Sequence, residues 1–252
     1  MTIIAIYNRK GGVAKTTTAI NLAAALANNQ KRVLLIDNAP QANATAGVGV
    51  NPSAQPGIAA WLTDSISVEK ILIHDVYQNL DLIPSDYSID RHSPFIDRFS
   101  LSKHLSPLAT RYDFIIIDND PTLDLLTENA LYAADTVLIP LRIDKFALDG
   151  YRELRRHLKD FEKETDSKLK ILGILLTQYE SRTRVMKGMR KELQSSLGDL
   201  VFQTTIRKNI QLVEAPFLGR PIFDYAPRAN GAIDYESLAQ EVLHRTKKQA
   251  VS

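Results

Sequence analysis

Ile3-Ile4-Ala5-Ile6-Tyr7-Asn8-Arg9-Lys10-Gly11-Gly12-Val13-Ala14-Lys15-Thr16-Thr17 opens the chain as a β-branched apolar run that breaks at a glycine pair. Ala19, Ile20, Leu22, Ala23 and Leu26 then recur at helical spacing. The order is therefore strand, glycine loop, helix. Paired glycines let the backbone curl so that successive N–H groups face inward, and the following helix adds partial positive charge at its N-terminus. Such a nest cradles a polyphosphate. In that frame Lys15 contacts the β- and γ-phosphates, and Thr16 places a hydroxyl where a bridging Mg²⁺ needs a ligand.

Outward from this loop, apolar runs recur at residues 33–36, 80–83, 114–117, 137–139 and 171–176, in addition to 3–7. Helical periodicity separates several of them, at 16–27, 123–133 and 148–161. Buried parallel strands read in this way, and strand–helix alternation predicts an α/β fold with a single doubly wound, mostly parallel sheet flanked by helices. The run at 137–139 is expected to stop at Pro140, which has no N–H for a central ladder. Turn-forming residues at 51–57 and 85–94 mark loops. No repeat or long linker divides the 252 residues, a length that one domain over 1–252 accommodates.

Composition removes several classes. There is no cysteine, so disulfides, thiolate metal sites and iron–sulfur ligation are excluded. No apolar run approaches the roughly 18 residues a membrane span requires, and the opening residues lack the basic-then-apolar pattern of a signal peptide. A cytoplasmic chain is expected. Charge is uneven: residues 1–150 carry 12 Lys/Arg against 16 Asp/Glu, whereas 151–252 carry 19 against 13. A basic C-terminal part suits a nucleic-acid or anionic-lipid face, or a solvated surface.

The common phosphate loop has glycine where Arg9 and Ala14 stand. Lys10-Gly11-Gly12-Val13-Ala14-Lys15-Thr16 instead fits Lys-Gly-Gly-x-x-Lys-Thr, and here the chain resembles the ParA/MinD group of P-loop ATPases with a deviant Walker A motif. The resemblance runs over nearly the whole chain and sits closest to partition and cargo-positioning members, including those that space carboxysomes. It implies that residues 10–17, from Lys10 through Val13, Ala14 and Lys15 to Thr17, hold ATP with Mg²⁺. It also implies a homodimer with ATP sandwiched, in which Lys10 reaches the partner's nucleotide as an arginine finger does.

The resemblance extends to the carboxylates. Leu34-Leu35-Ile36-Asp37-Asn38-Ala39-Pro40-Gln41 is similar to the second motif, usually Asp-x-Asp-Pro-Gln. Asp37 matches its first acid. Ala39 stands in place of the acid that orients the attacking water, a pattern shared by designed traps and naturally inactive relatives. Binding without appreciable hydrolysis is expected, because orienting a nucleophile contributes on the order of 10²–10⁴-fold. Asp118, closing Phe114-Ile115-Ile116-Ile117-Asp118, reads as the Walker B acid that holds Mg²⁺ through water, with Asp37 nearby in a similar outer-shell role. Asp120 and Asp124 are additional acids, suited either to a partner's cation or to the N-terminus of a helix capped by Thr122, the helix role being preferred for Asp124. Lys145 is either a second interface cation or an exposed lysine.

Toward the C-terminus, Thr205-Ile206-Arg207-Lys208-Asn209 through Pro216 matches the region that closes over adenine, making Arg207, Lys208 and Asn209 cofactor contacts by resemblance. Arg182, Arg184, Lys187, Arg190, Lys191, Arg220 and Arg245 are candidates for the non-specific DNA surface of ParA relatives. Lys247 and Lys248 belong to the same basic run. Such relatives associate with the nucleoid and are stimulated by a ParB-like or cargo-adaptor protein. MinD-like membrane ATPases share the loop but end in an amphipathic lipid-inserting helix, whereas residues 244–252 offer only Val251 as a sizeable apolar group, so no membrane partner is expected. The nitrogenase iron protein shares the loop and needs cysteines that are absent. A non-enzymatic ATP-dependent scaffold is the remaining alternative.

Overall fold

The computed structural model describes residues 1–87, 96–180 and 182–251. Among the described residues eight strands form one sheet: β1 (Thr2–Ile6), β2 (Val33–Asp37), β3 (Ile73–Tyr77), β4 (Leu80–Ile83), β5 (Phe114–Asp118), β6 (Thr136–Arg142), β7 (Lys170–Tyr179) and β8 (Val201–Arg207). Their order is β3-β4-β2-β5-β1-β6-β7-β8, with every pairing parallel except β3 against β4. The long helices are α1 (Lys15–Asn28), α2 (Leu125–Ala133), α3 (Ala147–Thr165), α4 (Arg184–Leu197) and α5 (Asn230–Val251). The mostly parallel α/β sheet expected from the sequence is therefore present.

Alternate strand residues feed two cores. Ile3 and Ala5 of β1 join a layer with Leu126 and Ala130 of α2 and Tyr151, Leu154 and Leu158 of α3. Ile4 and Ile6 join the opposite layer with Ala19, Leu22 and Leu26 of α1 and Tyr235, Leu238 and Val242 of α5. Burial on both sides explains why the central strands are continuous apolar runs without polar alternation. It also fixes their ends. The last residues of β1, β2 and β5 lie side by side, with Ile6 paired to Asp118 and Asp118 to Asp37.

Pro140 does not end its strand. β6 continues to Arg142, with Pro140 paired to Leu175 of β7. The reason lies on its other side: β1 pairs with β6 only as far as Leu138. The Pro140 carbonyl, on the β1 side, takes a side-chain bond from Asn8 Nδ2 at 2.8 Å. No backbone donor is missing because no ladder partner remains there.

Two strands escape the apolar-run criterion. β3 is an edge strand with the adjacent exposed residues His74 and Asp75 set between partly buried Ile73 and Val76, and β8 contains Gln203, Thr204 and Thr205. The loop at 51–57 is present as expected; of the turn at 85–94, residues 88–94 lie outside the described residues, as does the side chain of Val251. α2 begins at Leu125, not 123. Its cap is Asp124, whose Oδ1 accepts the Thr127 amide at 3.0 Å, while the Thr122 hydroxyl donates to Asp124 Oδ2 at 2.8 Å. Asp124 thus has the helix role, and Thr122 is one step removed from the cap.

Candidate functional site

The phosphate loop leaves β1 over the C-terminal edge of the sheet, where the strand order turns away on both sides. Asn8 is buried and fastens the exit: Nδ2 holds the Pro140 carbonyl and Oδ1 accepts the Lys10 amide at 3.0 Å. Gly12 has φ +69, a conformation that L side chains rarely adopt, and a Cβ placed on Gly11 or Gly12 would meet nothing within 4 Å. The cradle is open on that side. Ala14 also lies in the left-handed region, φ 67 and ψ 39, and α1 starts immediately after it. The Val13 carbonyl accepts the Thr177 hydroxyl at 3.0 Å and the Gly12 carbonyl accepts Gln178 Nε2 at 3.0 Å, both from the end of β7.

Lys15 is 8% exposed, and its Nζ reaches back to the Lys10 carbonyl at 3.3 Å, so the loop wraps its own lysine. Burial lowers the ammonium's pKa, opposed by the charges of Asp118 and Asp120. Thr16 and Thr17 are half-buried on the first turn of α1. Lys10 Nζ pairs with Asp144, with Arg142 Nη2 4.0 Å from the same carboxylate, and Arg9 pairs with Glu153 at 3.1 Å.

Asp37 and Asp118 are both wholly buried. Asp37 is spent within the fold: Oδ2 accepts the Thr45 amide at 2.7 Å and the Thr45 hydroxyl at 2.8 Å, and Oδ1 accepts the Ala39 amide at 3.2 Å. Asp118 has no hydrogen-bond partner on either carboxylate oxygen among the described residues. Burial pushes both carboxyls up, Asp118 further because Asp37 adds repulsion that the neighbouring Thr16 and Lys15 only partly offset. An unpartnered buried carboxylate beside a threonine hydroxyl and a buried lysine fits a hydrated divalent cation. Among the described residues no group of three His, Asp or Glu could hold a metal alone. The donor set therefore suits Mg²⁺ that arrives with phosphate oxygens.

Asn38 and Asn119 follow the two acids and brace them. Asn38 Nδ2 donates to Asn119 Oδ1 and the Leu126 carbonyl, each at 2.9 Å, and the Asn38 amide donates to the Asp118 carbonyl at 3.0 Å. Ala39, 5% exposed, presents only a methyl group in this loop. Asn8, Asn38, Asn119, Thr45, Asp144, Thr177 and Gln178 went unread in the sequence. For the two asparagines and Asn8 a signal exists, since each borders a motif residue, and Thr45 lies only eight residues after Asp37 on the short helix Asn43–Gly47; Asp144, Thr177 and Gln178 come from the ends of β6 and β7.

The remaining sequence-predicted residues divide. Arg207 is taken by Asp234, through Nε at 3.0 Å, Nη2 at 2.6 Å and its amide at 2.9 Å. Lys208 pairs with Glu180 at 3.0 Å, and Asn209 Oδ1 accepts the Gln211 amide at 2.9 Å. Arg182, Arg184, Lys187 and Lys191 are exposed. Arg190 is half-buried, donates to the Gln203 carbonyl at 2.9 Å and lies over the Tyr179 ring. Arg220 is exposed and pairs with Asp224 at 3.5 Å. The expectation of an outward Arg245 is corrected: its side chain is 17% exposed, bonded to Glu241 and to the Leu172 and Val201 carbonyls, and stacked 4.0 Å from the Phe202 centroid. Lys145 is exposed and lies 5.8 Å from the Phe146 ring.

A left-handed glycine loop capping a helix, a buried lysine inside it and an open acid at the neighbouring strand end define a phosphate-loop nucleotide-binding protein. Comparison with known proteins narrows this. The family described as AAA domain matches residues 1–171. The chain is similar to the sporulation initiation inhibitor protein Soj of Bacillus subtilis, at 41% identity over 95% of this chain and 97% of that protein. It is similar to the chromosome partitioning protein ParA of Myxococcus xanthus, at 37% identity over 96% and 88%. In structure it is similar to the septum site-determining protein MinD of Pyrococcus horikoshii complexed with Mg-ADP, with TM-score 0.80, 26% identity and coverage of 96% and 95%. The chain belongs to the ParA/MinD family of P-loop ATPases. ATP with magnesium is the cofactor pair consistent with that family.

Proposed function

We propose that this chain, as one ATPase domain over residues 1–252, is an ATP-switched homodimer that positions or segregates cargo, and that in its present sequence it holds ATP with little hydrolysis. The observation that carries the reading is the open, left-handed loop around the buried Lys15, facing the unpartnered Asp118. Loop amides and Lys15 bind the β- and γ-phosphates. Magnesium, when bound by the Thr16 hydroxyl and through water by Asp118, supplies neutralising charge on those phosphates. Asp37 shapes the adjoining loop through Thr45.

Lys10 serves the partner's nucleotide, so that ATP becomes part of the interface, and Asp144 holds this lysine in the lone chain. The exposed Arg182, Arg184, Lys187 and Lys191 at α4 suit sequence-independent phosphate contacts, with Arg220 a further candidate. Dimerisation doubles such contacts and converts weak binding into useful binding. Localisation to the cytoplasm and nucleoid, and a ParB-like or cargo-adaptor protein that stimulates hydrolysis, follow from this reading.

Ala39 favours a second reading, a non-hydrolysing ATP-dependent scaffold, because no side chain at that position can orient water. Light scattering with Mg-ATP and with Mg-ADP tests the switch, and phosphate release by Ala39→Asp separates the readings. Dimers with ATP alone, and recovered hydrolysis, support the first; monomers under both nucleotides contradict it, and continued inactivity of Ala39→Asp supports the scaffold.

A further inference from the structure

Two non-glycine residues, one in the phosphate loop and one in the β7 end that touches it, adopt the left-handed conformation: Ala14 at φ 67 and Gln178 at φ 51. Ala14 stands where the common loop has glycine, and a Cβ disfavours that conformation. Gln178 sits where β7 slips register against β8, between Leu176 and Tyr179. Irregularities of this kind re-aim side chains beside functional sites. Here the slip turns Thr177 and Gln178 onto the loop, where they donate to the carbonyls of Val13 and Gly12, each at 3.0 Å.

In a trans peptide the carbonyl and the following N–H point in opposite directions. Drawing the Gly12 carbonyl toward β7 therefore turns the Val13 amide away from β7. Drawing the Val13 carbonyl does the same for the Ala14 amide. Among the described residues neither amide has a hydrogen-bond partner within the chain, so both are left available to a ligand on the side away from β7.

We propose that Thr177 and Gln178 are positioning residues for nucleotide binding: they preset the Val13 and Ala14 amides toward the phosphates and offset the cost of alanine at position 14. This rests on the triphosphate reading above, and it makes a prediction that a general packing role does not. Their contribution depends on the residue at position 14, since glycine adopts φ 67 without external support.

The test is calorimetric titration of Mg-ATP into the full chain and its Gln178→Met, Thr177→Val and Thr177→Ser variants, each alone and combined with Ala14→Gly. Loss of one such hydrogen bond is expected to weaken binding roughly 3- to 10-fold in Gln178→Met and Thr177→Val. Thr177→Ser, which keeps the hydroxyl, should retain most of the affinity. Relative to Ala14→Gly alone, the same losses should shrink to within about twofold. Unchanged affinity in Gln178→Met, or losses that persist undiminished beside Ala14→Gly, overturns the proposal. Should Thr177→Val fail to fold, Gln178→Met and Thr177→Ser still decide it. NMR order parameters of the Val13 and Ala14 N–H vectors in the nucleotide-free chain provide a reading independent of ATP. They should be about 0.85 in the parent and fall in Gln178→Met. If the parent takes up no Mg-ATP, the nucleotide reading fails, while unchanged order parameters in Gln178→Met would separately overturn the positioning role.

Discussion

Asp37 and Asp118 stand opposite each other in register at the ends of β2 and β5, and among the described residues only the Asp37 carboxylate is hydrogen-bonded. Two buried carboxylates on neighbouring strands repel, so the fold tolerates them by dividing their work. Asp37 is tied to Thr45 and shapes the loop that carries Ala39. Asp118 keeps both carboxylate oxygens without a partner among the described residues, which suits the proposed magnesium role.

Replacing the second acid should therefore separate stability from binding. The Asp118 carboxyl is raised above the ordinary carboxylate range, so between the unfolded and folded values the folded chain binds more protons, and stability falls as pH rises through that interval. Without metal, Asp118→Asn should melt above the parent at neutral pH, by a few degrees at roughly 2–4 °C per kcal/mol, with the gap closing as pH drops toward about 4. The same variant should lose at least about tenfold in Mg-dependent ATP affinity. Scanning calorimetry across pH and titration with Mg-ATP check the two halves; a variant that melts below the parent at neutral pH contradicts the assignment.

Asp37→Ala should behave in the opposite sense. It strands the buried Thr45 amide and hydroxyl, at a cost of about 1–3 kcal/mol for each unsatisfied group, partly offset by removing a buried charge. A net destabilisation of roughly 2 kcal/mol in urea unfolding is expected. Stability equal to the parent's would mean that the Thr45 contacts contribute nothing net.

Hydrolysis should return with one substitution. Ala39→Asp places a carboxylate beside the cradle, and phosphate release should rise on the order of 10²-fold or more. A malachite-green assay with Mg-ATP, DNA and the cargo adaptor measures this, while ATP affinity should stay within a few-fold of the parent's.

The basic residues should split by burial. Lys187→Ala with Lys191→Ala should weaken DNA binding across all sequences and flatten its salt dependence, by a slope of about 1 for each phosphate contact removed. Arg245→Ala should instead cost stability, through lost bonds to Glu241, Leu172 and Val201 and lost stacking on Phe202. About 1–3 kcal/mol in unfolding, without a change in salt slope, is expected. A changed salt slope in Arg245→Ala would place that residue on the proposed DNA surface.

The loop from Ile6 to Thr17 was legible in the sequence because its chemistry is local: glycine freedom, a lysine and a helix start lie within a dozen residues. The central strands were legible for a related reason, since burial on both faces demands unbroken apolar runs. β3 and β8 were hidden by polar residues that an edge position and a mixed environment permit. Pro140 misled because the extent of the neighbouring β1, not the proline itself, decides whether a donor is missed. Arg245 looked like a surface charge until the fold placed Phe202 and Glu241 around it. Thr177 is 164 residues from Val13, and Asp144 is 134 from Lys10; no spacing rule connects them.

On the reading proposed above, the loop amides, Lys15 and Asp118 together enclose a magnesium-bound triphosphate. Isothermal titration of Mg-ATP into the parent chain and into Lys15→Ala is the decisive measurement. The expected result is a saturable, magnesium-dependent isotherm for the parent that weakens by at least about tenfold in the variant. Equal affinity in the two proteins, or no uptake by the parent, would contradict it.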